Sequence, residues 1–220
     1  LGCLLSEVQK GNFLLSDYIE IQKDQQVGGT GILKEFSPGI RMTIHDVLVA
    51  MIVISDNTAT NMIIDLLGGV SAVNSYINKL GFINTKLINR IDFTATGNDA
   101  NKLAVSTAGE FIDYLTLIHE NKAFSKELKQ VFLNIMSKQQ DISQYVRYIP
   151  YNPYAIEMNE ENHVSIASKT GSFPGVRCDV GFMTISKVDI LFVVLTKNCR
   201  DLVSRAENEG SILVGKIGKE

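Results

Sequence analysis

Apolar positions in the first two thirds of the chain recur at helical spacing. Leucine and valine side chains in residues 1–8 lie at i, i+3, i+4 and i+7, which predicts an amphipathic helix that ends at Gly11. Residues 44–54, which follow the capping residue Thr43, are apolar nearly all round and predict a helix in the middle of a core. Glycines and capping residues delimit the other predicted helices, over 59–67, 72–80, 107–120 and 125–137.

The spacing changes after Pro150. β-Branched runs over 163–169, 180–185 and 190–195 predict three adjacent antiparallel strands, and a helix from about residue 200 onward is expected to cover one face of that sheet. Residues 82–105 show no sustained period and predict a long loop, which in a compact domain is often functional. The predicted fold class is α+β, one structural domain with an all-α lobe (1–147) and an α/β lobe (148–220).

Composition narrows the classes of function. With 220 residues, 45% of them hydrophobic, the chain can bury a substantial core, which excludes disorder. The 21 Lys and Arg residues and the 24 Asp and Glu residues are scattered along the chain, so nucleic acid is not an expected partner. The longest apolar stretch, 47–54, is far shorter than the roughly 20 residues that cross a bilayer. No transmembrane segment is therefore predicted.

No cofactor or metal is predicted. The cysteines form no C-x-x-C pair and the histidines share no ligand spacing with them, so ordinary thiols and imidazoles explain both sets: Cys3, Cys178, Cys199, His45, His119 and His163. The segment Gly28-Gly29-Thr30-Gly31 lacks the strand-to-helix setting of a phosphate-binding loop, and turn formation accounts for its glycines.

Two triplets carry the candidate chemistry. Ser55-Asp56-Asn57 follows the buried helix, and Lys169-Thr170-Gly171 ends a predicted strand. Taken singly, the first could be a helix N-cap and the second a turn. Their combination and order are what favour a functional site.

With its flanks, the pair resembles the motifs of the penicillin-recognising serine enzymes, specifically the class A β-lactamases. Residues 51–61 are similar to the family's second motif, and Lys169-Thr170-Gly171 with residues 175–181 is similar to the third. The resemblance covers nearly the whole chain. It implies a β-lactamase/transpeptidase-like fold, in which a helical lobe packs on an antiparallel sheet flanked by helices and the cleft lies between them.

The resemblance also implies roles for single residues. The Ser55 hydroxyl would relay a proton to the leaving nitrogen, and the Lys169 cation would lower the potential around Ser55. Asn57 would orient the amide of the substrate's side chain. Lys169, the Thr170 hydroxyl and the Arg177 guanidinium would receive the substrate carboxylate beside Gly171.

Acyl transfer also needs an oxyanion site and a nucleophile. The Ser172 N–H would be one oxyanion donor, and the nucleophile's own N–H the other. The family's nucleophile belongs to a Ser-x-x-Lys motif, and no serine in the 220 residues precedes a lysine by three positions. Alignment of the first helix places this serine about seven positions before Leu1. We therefore expect a truncated chain that also lacks the leading helix and two strands, and no β-lactam adduct on residues 1–220.

A second departure concerns the general base of deacylation. The family carries Arg-x-Glu-x-x-x-Asn in the long loop, and the corresponding residues here are Arg90, Asp92 and Thr96. Asp92 keeps a carboxylate that is one methylene shorter, which puts fast deacylation in doubt. Alternatively, Arg90 and Asp92 are ion partners that brace the loop.

These motifs predict a serine hydrolase that opens β-lactam amides through an acyl-serine intermediate. The alternatives are a penicillin-binding or D-Ala-D-Ala peptidase-like relative that deacylates slowly, and a pseudoenzyme. The expected partner is a small β-lactam or a D-Ala-D-Ala peptide, and the expected location, by resemblance alone, is periplasmic or extracellular.

Overall fold

Helices are the main regular elements of the chain before residue 137, with bounds close to those that the apolar spacing predicts. The computed structural model describes residues 1–155, 157–161 and 163–220, and none of the helices in these ranges is long and apolar enough to cross a membrane. The described α-helices are α1 (Gly2–Gln9), α2 (Ile44–Val53), α3 (Asn57–Leu66), α4 (Val70–Lys79), α5 (Phe93–Thr96), α6 (Ala108–His119), α7 (Lys126–Met136) and α8 (Glu209–Lys219). The described strands are β1 (Tyr18–Glu20), β2 (Arg41–Thr43), β3 (Lys86–Leu87), β4 (Ala104–Val105), β5 (Val164–Phe173), β6 (Val176–Ile185) and β7 (Val188–Thr196).

Helix α2 lies at the centre of the larger core. It begins where the Thr43 hydroxyl accepts the Asp46 N–H at 3.1 Å, and it ends one residue before the predicted boundary. Leu4 and Leu5 of α1 and Ile135 of α7 are completely buried in the same cluster. The prediction of a core helix at this position is confirmed.

Strands β5, β6 and β7 form the main sheet of the described residues, antiparallel and in chain order, as predicted. The turn between β6 and β7 consists of Ser186 and Lys187, both with positive φ, as in the tight turns whose twist matches that of a hairpin. Among the described residues, β7 pairs only with β6 and therefore forms an edge of the sheet.

Strand β5 continues beyond the second triplet. Gly171 pairs with Cys178 and Ser172 with Arg177, so Lys169-Thr170-Gly171 lies within the strand rather than at its end. That detail of the sequence prediction is wrong because a tight turn at Pro174 and Gly175 lets the ladder extend to Phe173.

A second core lies between the main sheet and α8. The rings of Tyr145 and Phe192 stack with their centroids 3.7 Å apart, and Val214 of α8 is completely buried beside them. The prediction that α8 begins near residue 200 is wrong. Asn208 caps the helix, and the Glu209 carboxylate binds the N–H groups of residues 200 and 201, which holds the preceding segment as a loop.

The loop predicted over 82–105 contains short elements: β3 pairs with β4, and α5 lies between them. Its start is tied to α6. The Thr107 hydroxyl accepts the Glu110 N–H at 3.2 Å, as expected of a cap. The Glu110 carboxylate accepts from residues 83, 84 and 85 instead of from the Thr107 N–H, so the expected capping box is only half formed. The fold thus confirms the α+β class and brings the two triplets together.

Candidate active site

Ser55 lies in a sharp turn between two helices. Helix α2 ends at Val53, α3 begins at Asn57, and Ser55 adopts a left-handed conformation with φ of 53°. A residue other than glycine in this region costs about 1–3 kcal/mol and persists only where neighbouring contacts hold it. Contacts with neighbouring residues therefore hold this turn, which directs the Ser55 hydroxyl toward β5.

Lys169 reaches this turn from the sheet. Its Nζ donates to Ser55 Oγ and, at 2.7 Å, to the carbonyl of Thr170. Desolvation by the surrounding protein lowers the pKa of Lys169, while Cys178, Asp141 and Asp179 favour its charged form. The two triplets predicted from sequence thus meet through a cation and a hydroxyl.

Asp56 is a structural residue. It is 1% exposed, and its carboxylate accepts the N–H groups of Ala59 at 2.9 Å, Ile32 at 2.6 Å and Leu33 at 2.9 Å. These bonds compensate for the burial of its charge. The helix-cap interpretation of the first triplet is therefore correct for its middle residue.

The side chain of Asn57 is engaged by the segment of residues 28–31. Its Nδ2 donates to the Gly28 carbonyl at 2.9 Å, and its Oδ1 lies 3.3 Å from the Thr30 hydroxyl oxygen. This segment was expected to be an ordinary turn, but the structure packs it on the first triplet. The predicted role of Asn57 toward a substrate amide stays a prediction.

The residues beyond Lys169 line the same strand. Thr170 is buried, Ser172 is exposed, and a completely buried glutamine, Gln144, donates from Nε2 at 3.2 Å to both the Gly171 carbonyl and Ser172 Oγ. Gln144 was missed because no motif marks it, although it fixes the strand that carries the predicted oxyanion donor.

The structure does not bring Arg177 into the cleft. Its side chain is 2% exposed, and its guanidinium donates to the carbonyls of Phe173, Val176 and Val203. A guanidinium so buried and so bonded is not available to a substrate carboxylate. Of the predicted carboxylate ligands, Lys169 and Thr170 remain together.

Asp92 lies in the long loop, where one carboxylate oxygen caps α5. Its Oδ1 accepts the N–H groups of Thr94 at 2.9 Å and Ala95 at 3.1 Å. Arg90 pairs with Asp65 of α3 at 3.1 Å rather than with Asp92. The alternative of an Arg90–Asp92 ion pair is therefore wrong, although both residues do brace the loop.

One polar face of helix α3 holds two loops, the segment of residues 28–31 and the loop that carries Asp92. The sequence analysis missed this face. Asn57, Asn61 and Asp65 are spaced four residues apart, so they share a face. The Asn61 side chain accepts the Ile91 N–H at 2.8 Å and donates to the Ile91 carbonyl at 3.0 Å. Carboxamide and carboxylate residues at i, i+4 and i+8 of α3 were the signal that could have identified this face.

Behind the cleft strand lies a buried carboxyl group, Asp179 of β6. It is 0% exposed, pairs in register with Thr170, and accepts the Tyr145 N–H at 3.2 Å. Desolvation raises its pKa to about 7, against the opposing effect of that hydrogen bond and of Lys169. This group was not singled out from sequence.

The polar groups of the site come from Ser55, Lys169 and the strand that carries Lys169. Across residues 1–155, 157–161 and 163–220, no group of three or more His, Cys, Asp or Glu side chains is placed to hold a metal ion. The arrangement offers a cation, hydroxyls and backbone N–H groups, which are suited to polarising and protonating an acyl compound.

Comparisons with known proteins identify the family of the chain. The profile of the Beta-lactamase enzyme family matches residues 1–220, and the chain belongs to this family. The beta-lactamase from Sphaerobacter thermophilus DSM 20745 is 29% identical, with a TM-score of 0.83 over 99% of this chain and 78% of that one.

Two further solved structures share the fold at lower identity. PBP-A is 23% identical with a TM-score of 0.81, over 99% of this chain and 74% of that chain. A representative class A beta-lactamase from Bacteroides cellulosilyticus DSM 14838 is 22% identical with a TM-score of 0.81, over 99% and 77%. The family resemblance and the β-lactamase/transpeptidase-like fold inferred from the motifs are confirmed.

Proposed function

We propose that the cleft performs acyl transfer on β-lactams as a class A-type serine β-lactamase. The observation that carries the proposal is the hydrogen bond from Lys169 Nζ to Ser55 Oγ, which unites two motifs 114 residues apart. The nucleophile would belong to a Ser-x-x-Lys motif upstream of Leu1, since residues 1–220 contain none. Family membership and the beta-lactamase from Sphaerobacter thermophilus support the choice of substrate class.

In this mechanism the nucleophile's hydroxyl oxygen attacks the lactam carbonyl carbon and forms an ester as the C–N bond breaks. Ser55 passes a proton to the leaving nitrogen and recovers one from the nucleophile's side. Lys169 stabilises negative charge near Ser55 and, with Thr170, attracts the substrate carboxylate. The backbone N–H of Ser172 supports the oxyanion.

A specific observation favours a second candidate, a penicillin-binding or D-Ala-D-Ala peptidase-like protein that stalls after acylation. Asp92 is shorter than the family's glutamate, and its Oδ1 already binds two N–H groups of α5. A carboxylate engaged in this way is a poor base for water. A neighbour in fold, a single-site mutant of PBP-A, has been solved as an acyl-enzyme complex with penicillin G.

Intact mass over time tests the function. The full-length gene product is mixed with excess benzylpenicillin while drug consumption is followed. Consumption with a short-lived or undetected adduct supports the β-lactamase, and a lasting adduct with the drug mostly intact supports the penicillin-binding alternative. If neither an adduct nor drug consumption is detected, both candidate functions are overturned and a pseudoenzyme remains.

Variants sharpen this test. Ser55→Ala should slow acylation roughly 100-fold or more, because it removes the proton relay. Ser137→Ala is the matched control, because Ser137 is exposed and its hydroxyl donates to the Asn134 carbonyl of its own helix end. Equal acylation rates in the two variants would contradict the role of Ser55.

Substitutions at Asp92 separate its two possible roles. Asp92→Asn keeps a good helix-capping oxygen but removes the base. If Asp92 activates water, the acyl-enzyme lifetime should lengthen roughly 100-fold, and if it only caps α5 the lifetime should not change. Asp92→Glu should shorten the lifetime if the missing methylene is what limits deacylation.

A further inference from the structure

The segment of residues 28–31, named here the glycine loop, follows the backbone of the Ser55 turn closely. The Asn57 N–H donates to the Thr30 carbonyl at 3.2 Å, and Lys34 Nζ donates to the carbonyls of Gly29 at 2.5 Å and Gly31 at 3.2 Å. The loop is therefore held on one side by Lys34 and on the other by the first triplet.

Glycine is needed at two positions of this loop. Gly29 and Gly31 have φ of +87° and +93°, and a Cβ on either would collide, with Asn57 Nδ2 at Gly29 and with the Asp56 carboxylate at Gly31. Such close approach and left-handed backbone explain the glycines better than turn formation alone. The backbone of the glycine loop therefore packs directly against the first triplet.

Thr30, which lies between these glycines, is the residue of the glycine loop that hydrogen-bonds to Ser55 itself. Its hydroxyl donates to the Ser55 carbonyl at 2.6 Å and faces Asn57 Oδ1 at 3.3 Å. The Ser55 carbonyl belongs to the residue whose left-handed conformation must be held by its surroundings. A bond to that carbonyl restrains the peptide rotation that would carry the Ser55 hydroxyl away from Lys169.

We propose that Thr30 is a positioning residue that, through the Ser55 carbonyl and the Asn57 amide, holds the Ser55 hydroxyl against Lys169. The inference rests on the proposed acyl transfer, which it deepens. Thr30 is exposed, so its bond competes with water and contributes little to stability. Its effect is expected in the rate of acylation, because proton relay depends on sub-ångström placement.

The test uses the full-length gene product with benzylpenicillin and three variants. Thr30→Val removes the hydroxyl at constant shape, and Thr30→Ser restores it. Thr116→Val is the matched control, because the Thr116 hydroxyl makes a similar bond, at 2.8 Å, to the Ile112 carbonyl of α6. We expect the acylation rate constant at saturating drug to fall about tenfold or more in Thr30→Val. Thr30→Ser should retain most of the rate, and Thr116→Val all of it.

Amide hydrogen exchange supplies a readout that does not depend on acylation. In Thr30→Val, the Asn57 N–H should exchange faster because the Thr30 carbonyl it binds is less fixed, while the melting temperature changes no more than in Thr116→Val. A wild-type acylation rate in Thr30→Val, or a rate that Thr30→Ser does not restore, would overturn the positioning role. If the wild type fails to acylate, the proposed function fails, and exchange alone then decides. Unchanged exchange at Asn57 would refute the role, and faster exchange would sustain it.

Discussion

A single buried carboxylate, Asp56, organises the turn that carries Ser55. Backbone N–H groups from the helix it caps and from the start of the segment after Gly31 surround it. Charge-assisted bonds of this kind are shorter and stronger than neutral ones, and losing one leaves the charge desolvated. The turn thus depends on how closely Gly31 can approach Asp56.

The glycine at position 31 should be irreplaceable for this reason. Gly31→Ala places a Cβ into the Asp56 carboxylate at a left-handed φ, and we expect a loss of roughly 3 kcal/mol or more in the free energy of unfolding. Gly11→Ala is the control, because Gly11 has φ of +79° and no atom within 4 Å of the added Cβ. It should cost about 1 kcal/mol. Urea denaturation measures both, and equal losses would contradict the steric argument.

At the residue scale, the sequence identifies groups whose chemistry is marked by a motif. Ser55 and Lys169 were predicted to act together, and their side chains do meet. Arg177 was marked in the same way but is buried, because the segment before α8 folds over it and Val203 accepts from its guanidinium. That burial depends on contacts between distant segments, which a local motif does not specify.

One face of helix α3 positions two loops, and substitutions at two asparagines test whether α3 positions the loop of Asp92. The Asn61 side chain binds both the N–H and the carbonyl of Ile91. The Asn74 side chain of α4 binds the same two groups of Leu87, each at 2.8 Å. Asn61→Ala and Asn74→Ala should each cost about 1–3 kcal/mol, because backbone groups lose their partners, three at Asn61, which also donates to the Gln25 carbonyl, and two at Asn74.

The two variants should differ at the site. Asn61→Ala should speed proteolysis of the segment that carries Asp92 and change the acyl-enzyme lifetime, while Asn74→Ala should spare the lifetime. Limited proteolysis with mass spectrometry, alongside the benzylpenicillin assay, makes the comparison. Identical lifetimes in the two variants would show that Asn61 does not position Asp92.

At the element scale, helix positions were the most predictable feature. Apolar period and capping residues placed α2, α6 and α7 to within a residue or two, since those signals are local. The start of α8 was misplaced because the N–H groups of residues 200 and 201 bind the Glu209 carboxylate rather than helical carbonyls. The short strands β3 and β4 were missed because pairs of two residues leave no period to detect.

At the scale of the whole molecule, the buried Asp179 links stability to pH. Its pKa is raised to about 7 in the fold from an ordinary value of 3.8, so its contribution is complete below pH 4 and is lost as the pH rises through 7. Asp179→Asn removes this titration. The stability of Asp179→Asn relative to wild type should therefore increase by roughly 2–4 kcal/mol between pH 4 and pH 8.

Urea denaturation at several pH values checks the sign. Asp201 is the opposite case, because hydrogen bonds from the Val203 N–H and from Arg205 lower its pKa. Asp201→Asn should therefore lose stability relative to wild type at neutral pH, and the loss should vanish as the pH falls below 4. A pH-independent difference for Asp179→Asn would contradict the desolvation of that carboxyl group.

The global arrangement was predictable in class but not in contacts. A helical first part followed by an antiparallel sheet follows from the change of hydrophobic period, and the α+β fold is confirmed. The division into lobes at 147 and 148 stays a prediction; Tyr145, on the helical side of it, packs in the core of the sheet. Periodicity predicts which face of an element is buried but not which distant partner buries it.

The hydrogen bonds from the Asn61 and Asn74 side chains to the backbone also affect how this sequence can diverge. Both carboxamides bind main-chain atoms, at positions 91 and 87, so these bonds do not depend on which side chains stand at those two positions. Every residue type except proline offers the same N–H and carbonyl. Over evolutionary time, positions 87 and 91 are therefore free to drift while 61 and 74 are not, and relatives with unlike loops can keep the same chain path beside the cleft.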